Sequence, residues 1–223
     1  YEIGSGLVGS EMCIRDSITA GATQEKIDPV RFITNHSTGK MGRAIAENCM
    51  LRGAHVTLVN ASVSVEPPMF VDVVNVTSAA EMADVVKSKA AEQDIIIMTA
   101  AVADFCPSHP ADEKIKKNDS SYESVIELER TEDILSYLGA HKAKGQLICG
   151  FSMETQNMLE NSKAKLAKKN ADMIVANNLK VAGAGFGTDT NVVTLITADD
   201  CTELEIMDKS CVAARIMDRL LQM

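Results

Sequence analysis

Small and hydroxylated side chains occupy the point where the first apolar strand of the sequence gives way to a helix. The run 35–42 is NHSTGKMG, and backbone N–H groups at a helix N-terminus can bind phosphate. A Walker A loop, however, needs glycine in place of Thr34 and Ser or Thr in place of Met41, and a dinucleotide fingerprint needs glycine in place of Ser37. Since glycine-rich turns are common in open α/β sheets, a phosphate site and a purely structural turn both remain open here.

A second candidate site follows the apolar run 94–98, where the sequence TAAVADF carries tiny side chains and then one acid, Asp104. Alanines allow a flat base to approach the backbone, whose N–H and C=O groups can hydrogen-bond its edge. Asp104 can accept a hydrogen bond from an amino or hydroxyl group. The same residues also suit tight helix packing, with Asp104 as a helix cap. The motif therefore indicates a base-binding site without establishing one.

Two groups of lysines stand out because the chain as a whole is acidic. One is the run EKIKK at 113–117, and the other comprises Lys163, Lys165, Lys168 and Lys169. Ammonium groups bind phosphate oxygens as mobile point charges, which suits a site that holds a triphosphate and releases pyrophosphate. Lysines on an amphipathic helix more often form its solvated face, and we prefer that interpretation for Lys163 and Lys168.

The composition excludes several classes of protein. Of 223 residues, 46% are hydrophobic and 24% charged, which disfavours both wholesale disorder and a membrane protein. A net charge of −9 argues against a general nucleic-acid coat. The six cysteines are widely spread without a C-x-x-C pair or a signal peptide, which predicts a reduced, cytoplasmic protein. The four histidines show no i, i+4 pairing, so a zinc site has little support.

The elements that must position these residues alternate between apolar strands and amphipathic helices. Strands are predicted at 18–20, 55–59, 70–76, 94–98, 146–151, 172–176 and 192–197, and helices at 41–51, 79–91, 132–141, 155–169 and 209–221. This alternation predicts an α/β fold, a Rossmann-like and mostly parallel sheet with helices on both faces. Ligands of such sheets bind at the carboxyl ends of the strands.

Residues 1–17 stand apart from this pattern. They show neither helical nor strand periodicity, and their SEMCIRDS end resembles a translated sequencing adapter. We therefore interpret residues 1–17 as a non-native, adapter-derived segment and residues 18–223 as one domain. The native sequence then begins near Ile18, partway through a strand.

Four motifs follow one another in a fixed order. They are GATQEKIDPVR from Gly21, NHSTGKMG from Asn35, AAVAD from Ala100 and EKIKK from Glu113. Together they closely resemble bacterial phosphopantothenoylcysteine synthetase, also called phosphopantothenate–cysteine ligase, and the resemblance extends from Ile18 to the C-terminus. Four ordered motifs are far more specific than one glycine-rich loop. The resemblance implies that residues 18–223 form a ligase domain of coenzyme A biosynthesis.

The resemblance also implies a reaction. The carboxylate of 4'-phosphopantothenate attacks the α-phosphate of CTP with Mg²⁺, giving an acyl-cytidylate and pyrophosphate, and the amine of L-cysteine then displaces CMP. Bacterial members use CTP and eukaryotic relatives favour ATP, so CTP is expected by resemblance alone. A cytoplasmic homodimer is implied, without nucleic-acid or membrane partners. In most bacteria the synthetase is the C-terminal half of a bifunctional chain, and the FMN-dependent decarboxylase would then lie outside these residues.

Individual residues receive roles from the same resemblance. Asn35 would hydrogen-bond the acyl-cytidylate and support the second step, whereas Lys114 would bind the triphosphate and promote the first. The residues implied to contact the nucleotide are Ser37, Gly39, Met98, Ala100, Ala101, Ala103, Asp104, Lys114, Glu132, Asp133, Ile134, Leu135, Phe151, Lys165 and Lys169. Thr131 and Glu132 replace the Asn-Pro that is more usual in the family. The metal ligands stay unassigned.

Two other classes of protein would share the expected fold. An NAD(P)-type oxidoreductase should carry G-x-G-x-x-G directly after the first strand and an acid near position 60, where this sequence has Asn60. A non-catalytic nucleotide-binding module would keep the glycines and alanines but has no need of both Asn35 and Lys114. It also remains open that Phe151 is a core residue and that Asn35 only holds a turn.

Overall fold

Apolar runs of the sequence form the inner strands of one sheet, because helices cover both of its faces. The computed structural model describes residues 14–116, 125–154, 157–178 and 185–223. The strands are β1 (Arg15–Ala20), β2 (Gln24–Lys26), β3 (Phe32–Thr34), β4 (His55–Asn60), β5 (Asp72–Asn75), β6 (Ile95–Met98), β7 (Phe105–Pro107), β8 (Leu128–Arg130), β9 (Leu147–Glu154), β10 (Met173–Asn178), β11 (Thr190–Asn191), β12 (Val193–Ile196), β13 (Cys201–Glu203) and β14 (Met207–Asp208). The helices are α1 (Lys40–Leu51), α2 (Ala79–Ala90), α3 (Ile134–Ala140), α4 (Met158–Lys169) and α5 (Lys209–Leu220).

The main sheet has eight strands in the order β13-β12-β10-β9-β6-β1-β4-β5. The strands from β5 to β10 are parallel, and β12 and β13 extend the sheet antiparallel to their neighbours. From β1 the chain goes outwards through β4 and β5, and it then crosses over to β6, β9 and β10. The strand order therefore reverses between β1 and β6. In open α/β sheets the crevice at such a switch point, outside the carboxyl ends of the strands, is where ligands bind.

The predicted fold class is confirmed, and every predicted strand and helix has a counterpart among the observed elements. Residues 155 and 156 of the fourth predicted helix lie outside the described residues. The two-stranded sheets β2–β3, β7–β8 and β11–β14 and the edge strand β13 were not predicted. Their strands are only two or three residues long, which is too short to show an alternating pattern.

The predicted strand 18–20 is the end of β1, which extends back into residues 15–17, a stretch in which no strand was predicted. β1 begins at Arg15, and Asp16 and Ser17 pair with β4 on one side and with β6 on the other. Both side chains are buried, and within the described residues neither Asp16 Oδ1 nor Ser17 Oγ has a hydrogen-bond partner. Burial raises the pKa of Asp16 to about 6. Polar residue types concealed this part of the strand, while the adapter origin of residues 1–17 stays a prediction.

The two faces of the sheet carry separate hydrophobic layers. Helices α1 and α5 pack on one face around Ile45 and Ile216, and helices α2, α3 and α4 cover the other around Met82 and Leu138. Cys49 belongs to the first layer, and its burial raises the pKa of its thiol. A thiol that stays protonated in a core behaves as a small hydrophobe. Within the described chain, none of the helices combines the length and the apolar character that crossing a bilayer requires.

Candidate nucleotide-binding site

A cavity of about 820 Å³ opens beyond the carboxyl ends of β6 and β9, beside the switch point of the sheet. It brings together most of the residues singled out in the sequence. Those that line it are Asn35, Met98, Ala100, Ala101, Ala103, Asp104, Glu132, Asp133, Ile134, Leu135, Phe151, Lys165 and Lys169. These residues come from five separate stretches of the chain, so the cavity is a product of the fold and not of one local loop. We call it the large cavity.

The alanine-rich loop at 99–104 is held in place through its backbone. Ala101 N donates to the carbonyl of Gly21 at 2.8 Å, directly after β1. Ala103 N donates to the hydroxyl of Thr23 at 3.0 Å, and Thr23 is itself fully buried. The loop is thus fixed to the neighbouring central strand, while its small side chains leave the cavity wall open. Thr23 belongs to the motif that begins at Gly21, but no local sequence pattern marks its role in holding this loop.

A second attachment holds the far end of the same loop. Thr131, which follows β8, donates from its backbone N to the carbonyl of Asp104 at 3.1 Å. Its hydroxyl donates to the carbonyl of Ala103 at 2.5 Å. Thr131 stands where the family more usually has Asn, and these two bonds give it a structural role. The Asp104 side chain is exposed and lines the large cavity.

Two further carboxylates line the cavity at the start of α3, and both are paired with lysines. Glu132 pairs with Lys87 at 2.6 Å, and Asp133 pairs with Lys169. Asp133 also caps α3 by accepting a hydrogen bond from Ser136 N at 3.0 Å. Partial burial opposes the ionisation of Asp133, but the hydrogen bonds from Lys169 and Ser136 outweigh it and lower its pKa. Pairing with ammonium groups reduces the repulsion that these acids would exert on a polyphosphate.

The two cavity lysines of α4 lie one helical turn apart on the same face. Lys165 Nζ donates to the carbonyl of Phe151 at 2.9 Å, and Lys169 Nζ donates to Ser136 Oγ at 2.9 Å besides pairing with Asp133. Lys163 and Lys168 are exposed and absent from the cavity lining, which confirms that they belong to the solvated face. The helix therefore presents only one pair of its lysines to the site.

The two residues predicted to be catalytic differ in position. Asn35, just after β3, is exposed and lines the large cavity, and its Oδ1 accepts a hydrogen bond from His36 N at 2.8 Å. It therefore holds a turn and faces the cavity at the same time. Lys114 is exposed and is not among the described residues that line either cavity. Lys114 and Asn35 therefore do not line the same cavity in the structure.

The segment that carries Lys114 is nevertheless fixed, through its neighbour Ile115. The buried carboxylate of Asp28 accepts a hydrogen bond from Ile115 N at 3.1 Å. Arg31 pairs with Asp28 and donates to the carbonyl of Ile115 at 3.1 Å. The hydrogen bond from Arg31 is the main reason that the pKa of Asp28 is held below its usual range. We call this arrangement the Asp28–Arg31 clasp, and it was not predicted from the sequence.

A smaller cavity of about 40 Å³ lies at the N-terminus of α1. Ser37 and Gly39, the remaining predicted nucleotide-binding residues, line it. Gly39 has φ +78°, and a Cβ there would lie 2.3 Å from Val63 Cγ1, so this turn requires glycine. Thr99, Phe151, Asn177 and Phe186 line both cavities. Phe151 therefore faces the site and is only partly buried in the core, so both interpretations of it hold in part.

Comparison with known protein families identifies the family of this chain. A family model described as the DNA/pantothenate metabolism flavoprotein C-terminal domain matches residues 14–223. The chain belongs to this family. The match confirms the resemblance drawn from the four ordered sequence motifs.

Individual relatives support the same family assignment. The chain is 48% identical over 205 residues to the coenzyme A biosynthesis bifunctional protein CoaBC of Bacillus subtilis (strain 168), which covers 91% of this chain and 50% of that protein. It is 41% identical over 203 residues to CoaBC of Vibrio vulnificus (strain CMCP6), covering 91% and 51%. The chain thus spans about half the length of these curated relatives. A crystal structure of the C-terminal domain of CoaBC matches with a TM-score of 0.78 and 43% identity, covering 92% of this chain and 93% of that one.

Family resemblance implied Mg²⁺, and the side chains around the large cavity suit a metal that arrives with a substrate. Among the described residues, no three His, Cys, Asp or Glu side chains are grouped closely enough to hold a resident ion. Mg²⁺ bound to nucleotide phosphates usually needs only one or two protein carboxylates.

Proposed function

We propose that the chain is a CTP-dependent phosphopantothenate–cysteine ligase. In this proposal it activates 4'-phosphopantothenate as an acyl-cytidylate and couples it to L-cysteine, releasing pyrophosphate and CMP. The observation that carries the proposal is the convergence of Asn35, the alanine loop, the start of α3 and the α4 lysines on one cavity. Membership of the family and the coenzyme A biosynthesis names of its bifunctional relatives support it.

The first step joins the substrate carboxylate to the nucleotide. A carboxylate oxygen of 4'-phosphopantothenate attacks the α-phosphorus of CTP, and the bond from that phosphorus to the bridging oxygen breaks, so pyrophosphate leaves. Lys165 and Lys169 meet the phosphate oxygens, and Lys114 neutralises the triphosphate once its segment closes on it. Mg²⁺, when bound, adds charge neutralisation on the phosphates. Proteins contribute mainly positioning and electrostatic stabilisation to phosphoryl transfers of this kind.

The second step forms the amide. The amine of L-cysteine attacks the acyl carbon, a proton leaves the nitrogen, and CMP departs with its phosphate oxygen. The amide of Asn35 donates a hydrogen bond to the oxyanion that develops on the acyl oxygen, because a neutral donor at that point stabilises the transition state. The attacking nitrogen comes from the substrate, so none of the free cysteines of the described chain has a catalytic task.

Base recognition falls to the loop at 99–104. Its alanine side chains leave room for a flat base beside the backbone, and Asp104 can accept a hydrogen bond from an exocyclic amino or sugar hydroxyl group. The choice of CTP over ATP rests on the family resemblance. FMN has no place in this proposal, since the family resemblance implies that the FMN-dependent decarboxylase would lie outside these residues.

A homodimer is part of the proposal. Hairpins β2–β3 and β7–β8 pack beside one another, and both expose apolar side chains: Val30 59%, Phe32 48%, Phe105 47% and Leu128 50%. Contiguous exposed apolar patches mark interaction sites, and we propose that these side chains form one. A second copy of the chain would cover them.

A pyrophosphate-release assay tests the function. Wild-type protein with Mg²⁺, phosphopantothenate and either CTP or ATP should release pyrophosphate before cysteine is added, with CTP preferred, and form the amide afterwards. Asn35→Asp should slow amide formation, followed by mass spectrometry, more than it slows pyrophosphate release. Folding is checked by circular dichroism and oligomeric state by light scattering. Folded, dimeric wild-type protein that releases no pyrophosphate with either nucleotide would refute the ligase assignment and leave a non-catalytic module.

A further inference from the structure

A buried lysine holds one short segment of the chain beside the site. The segment is 185–189, with the sequence GFGTD, and we call it the strap. Lys209 is only 6% exposed, and its Nζ donates to the carbonyl of Gly185 at 3.0 Å and to that of Thr188 at 2.5 Å. A third, longer contact of 3.4 Å reaches the carbonyl of Phe186. An ammonium group has three protons, so three carbonyls of the strap satisfy it.

Two more side chains hold the strap from the α1 side. Lys40 Nζ donates to the carbonyl of Gly187 at 3.0 Å and pairs with Asp189 at 2.7 Å. Thr38 Oγ1 donates to the carbonyl of Phe186 at 2.7 Å. The carbonyls of residues 185 to 188 thus all point towards side-chain donors. Inside the strap, Thr188 Oγ1 also reaches the carbonyl of Gly185 at 3.3 Å. Most of the hydrogen bonds that hold the strap nevertheless come from its partners.

The place of Lys209 in the fold explains how it reaches the strap. It is the first residue of α5, and β14, which directly precedes α5, pairs antiparallel with β11. β11 begins at Thr190, immediately after the strap. Lys209 also donates from its backbone N to the carbonyl of Asp189 at 2.9 Å. The main chain and the side chain of one residue therefore hold both ends of the strap.

Burying an ammonium group is unfavourable unless hydrogen bonds replace its water. Burial, together with the nearby charge of Lys40, lowers the pKa of Lys209, whereas the Asp189 carboxylate opposes that change. The strap carbonyls supply the missing hydration only while the strap stays where it is. An apolar residue could fill the same space without that requirement, so lysine at this position specifies where the strap lies.

The strap matters to the site through Phe186. This side chain is half-buried and lines both the large cavity and the small cavity at the N-terminus of α1. We propose that Lys209 is a positioning residue of the ligase site, whose buried ammonium fixes the strap so that Phe186 forms the wall shared by the two cavities. The inference rests on the proposed function and adds to it a residue remote from the reacting atoms.

A double-mutant cycle between Lys209 and Phe186 tests the inference on activity. Lys209→Met should lower kcat/KM for pyrophosphate release by about 10- to 100-fold, the loss expected when a site is misplaced from a distance. In a Phe186→Ala background the same substitution should have far less effect, because the side chain through which Lys209 is proposed to act is absent. Lys168→Met, on the solvated face of α4, is the matched control and should leave kcat/KM unchanged in both the wild-type and the Phe186→Ala background. Equal losses in both backgrounds, or no loss in either, would overturn the inference.

A second measurement does not depend on activity. The chain contains no tryptophan, so Phe186→Trp places a single tryptophan on the strap, which can be excited selectively over the tyrosines. Lys209→Met should make this fluorophore more accessible to acrylamide, and Lys168→Met should not. Unchanged quenching contradicts the positioning role even if the ligase assay succeeds, and increased quenching supports it even if that assay fails. Urea unfolding of each variant identifies the folded fraction, and Lys209→Gln, which keeps a donor, replaces Lys209→Met if the latter does not fold.

Discussion

The two regions proposed to bind the nucleotide are built in different ways. The alanine loop, on the base side, is bonded through its backbone to Gly21, Thr23 and Thr131, next to the central strands of the sheet. The segment that carries Lys114, on the proposed phosphate side, is exposed and is tied to the fold through the Asp28–Arg31 clasp at Ile115. We call the first region the rigid side, or rigid wall, and the second, which two hydrogen bonds at Ile115 hold, the hinged side.

This difference fits what the two sides have to do. A base is bound and released unchanged, so a preformed surface serves it well, because less ordering is needed on binding. A triphosphate becomes a bound monophosphate and free pyrophosphate. The lysine ammonium groups that bind its phosphates must therefore approach it and later release the pyrophosphate. Lys165 and Lys169 can exchange partners in the same way. Lys165 now donates to the Phe151 carbonyl and Lys169 to the Asp133 carboxylate, and phosphate oxygens can replace both of these acceptors.

The largest effect on activity is expected at the hinged side. Lys114→Gln removes the cation proposed to neutralise the triphosphate, and pyrophosphate release should fall by about 10²- to 10³-fold, as for loss of one preorganised charge-stabilising donor. Lys116→Gln, in the same exposed segment, is the control and should retain most of the activity. If the two variants lose activity equally, the segment contributes general positive charge and Lys114 has no individual role.

The clasp should show the next largest effect. Asp28→Asn weakens the pair with Arg31 and the contact with Ile115, so kcat/KM should fall by about 10- to 100-fold through misplacement of Lys114. Asp112→Asn, an exposed neighbour, should be close to wild type. In a Lys114→Gln background, Asp28→Asn should add little, because residues that act through one route are not additive. Full additivity would mean that the clasp serves something other than Lys114.

On the rigid side a smaller and different effect is expected. Thr23→Val keeps the shape of the side chain but leaves Ala103 N–H without its partner, which should lower the free energy of unfolding by about 1–3 kcal/mol. The KM for CTP should rise while kcat changes little, since the wall binds the base and does not contact the reacting atoms. Thr202→Val at the exposed strand β13 serves as the control in urea unfolding and steady-state kinetics. A fall in kcat with unchanged KM would contradict a base-binding wall.

The contrast between the two sides also explains what the sequence could and could not predict. Apolar runs and their carboxyl ends are local signals, so the sheet, the helices and the residues that follow β6 were predictable. The clasp joins residues separated by 84 and 87 positions, and no local pattern marks such a contact. Lys209 looks like any lysine at the start of a helix, because its burial depends on a strap more than 20 residues earlier in the chain. Polar Asp16 concealed the start of β1 for the same kind of reason.

A substitution at Asp16 tests how far the rigid wall depends on strand β1, because Asp16 lies in that strand and does not line the site. Its pKa is raised from the ordinary 3.8 to about 6 by burial, so the folded state favours the protonated acid. The contribution of Asp16 to the free energy of unfolding is greatest below pH 3.8, where the acid is protonated in both the folded and the unfolded state. It falls by about 3 kcal/mol in all as the pH rises through 6. Asp16→Val should therefore stabilise the protein at pH 8. Its advantage should shrink by about 1 kcal/mol at pH 5, where wild-type Asp16 is mostly protonated in the fold.

Urea unfolding of wild type and Asp16→Val at pH 5 and pH 8 measures that difference, and the other carboxylates cancel because both proteins share them. Ser17→Val, at the adjacent strand position, relieves a buried hydroxyl and is the control, since its effect should not vary with pH. The KM for CTP should stay the same in both variants if the alanine loop is held by its hydrogen bonds and not by the start of β1. A pH-independent gain from Asp16→Val would show that its carboxylate is hydrated in the folded protein, and a changed KM would tie the rigid wall to the whole length of the strand.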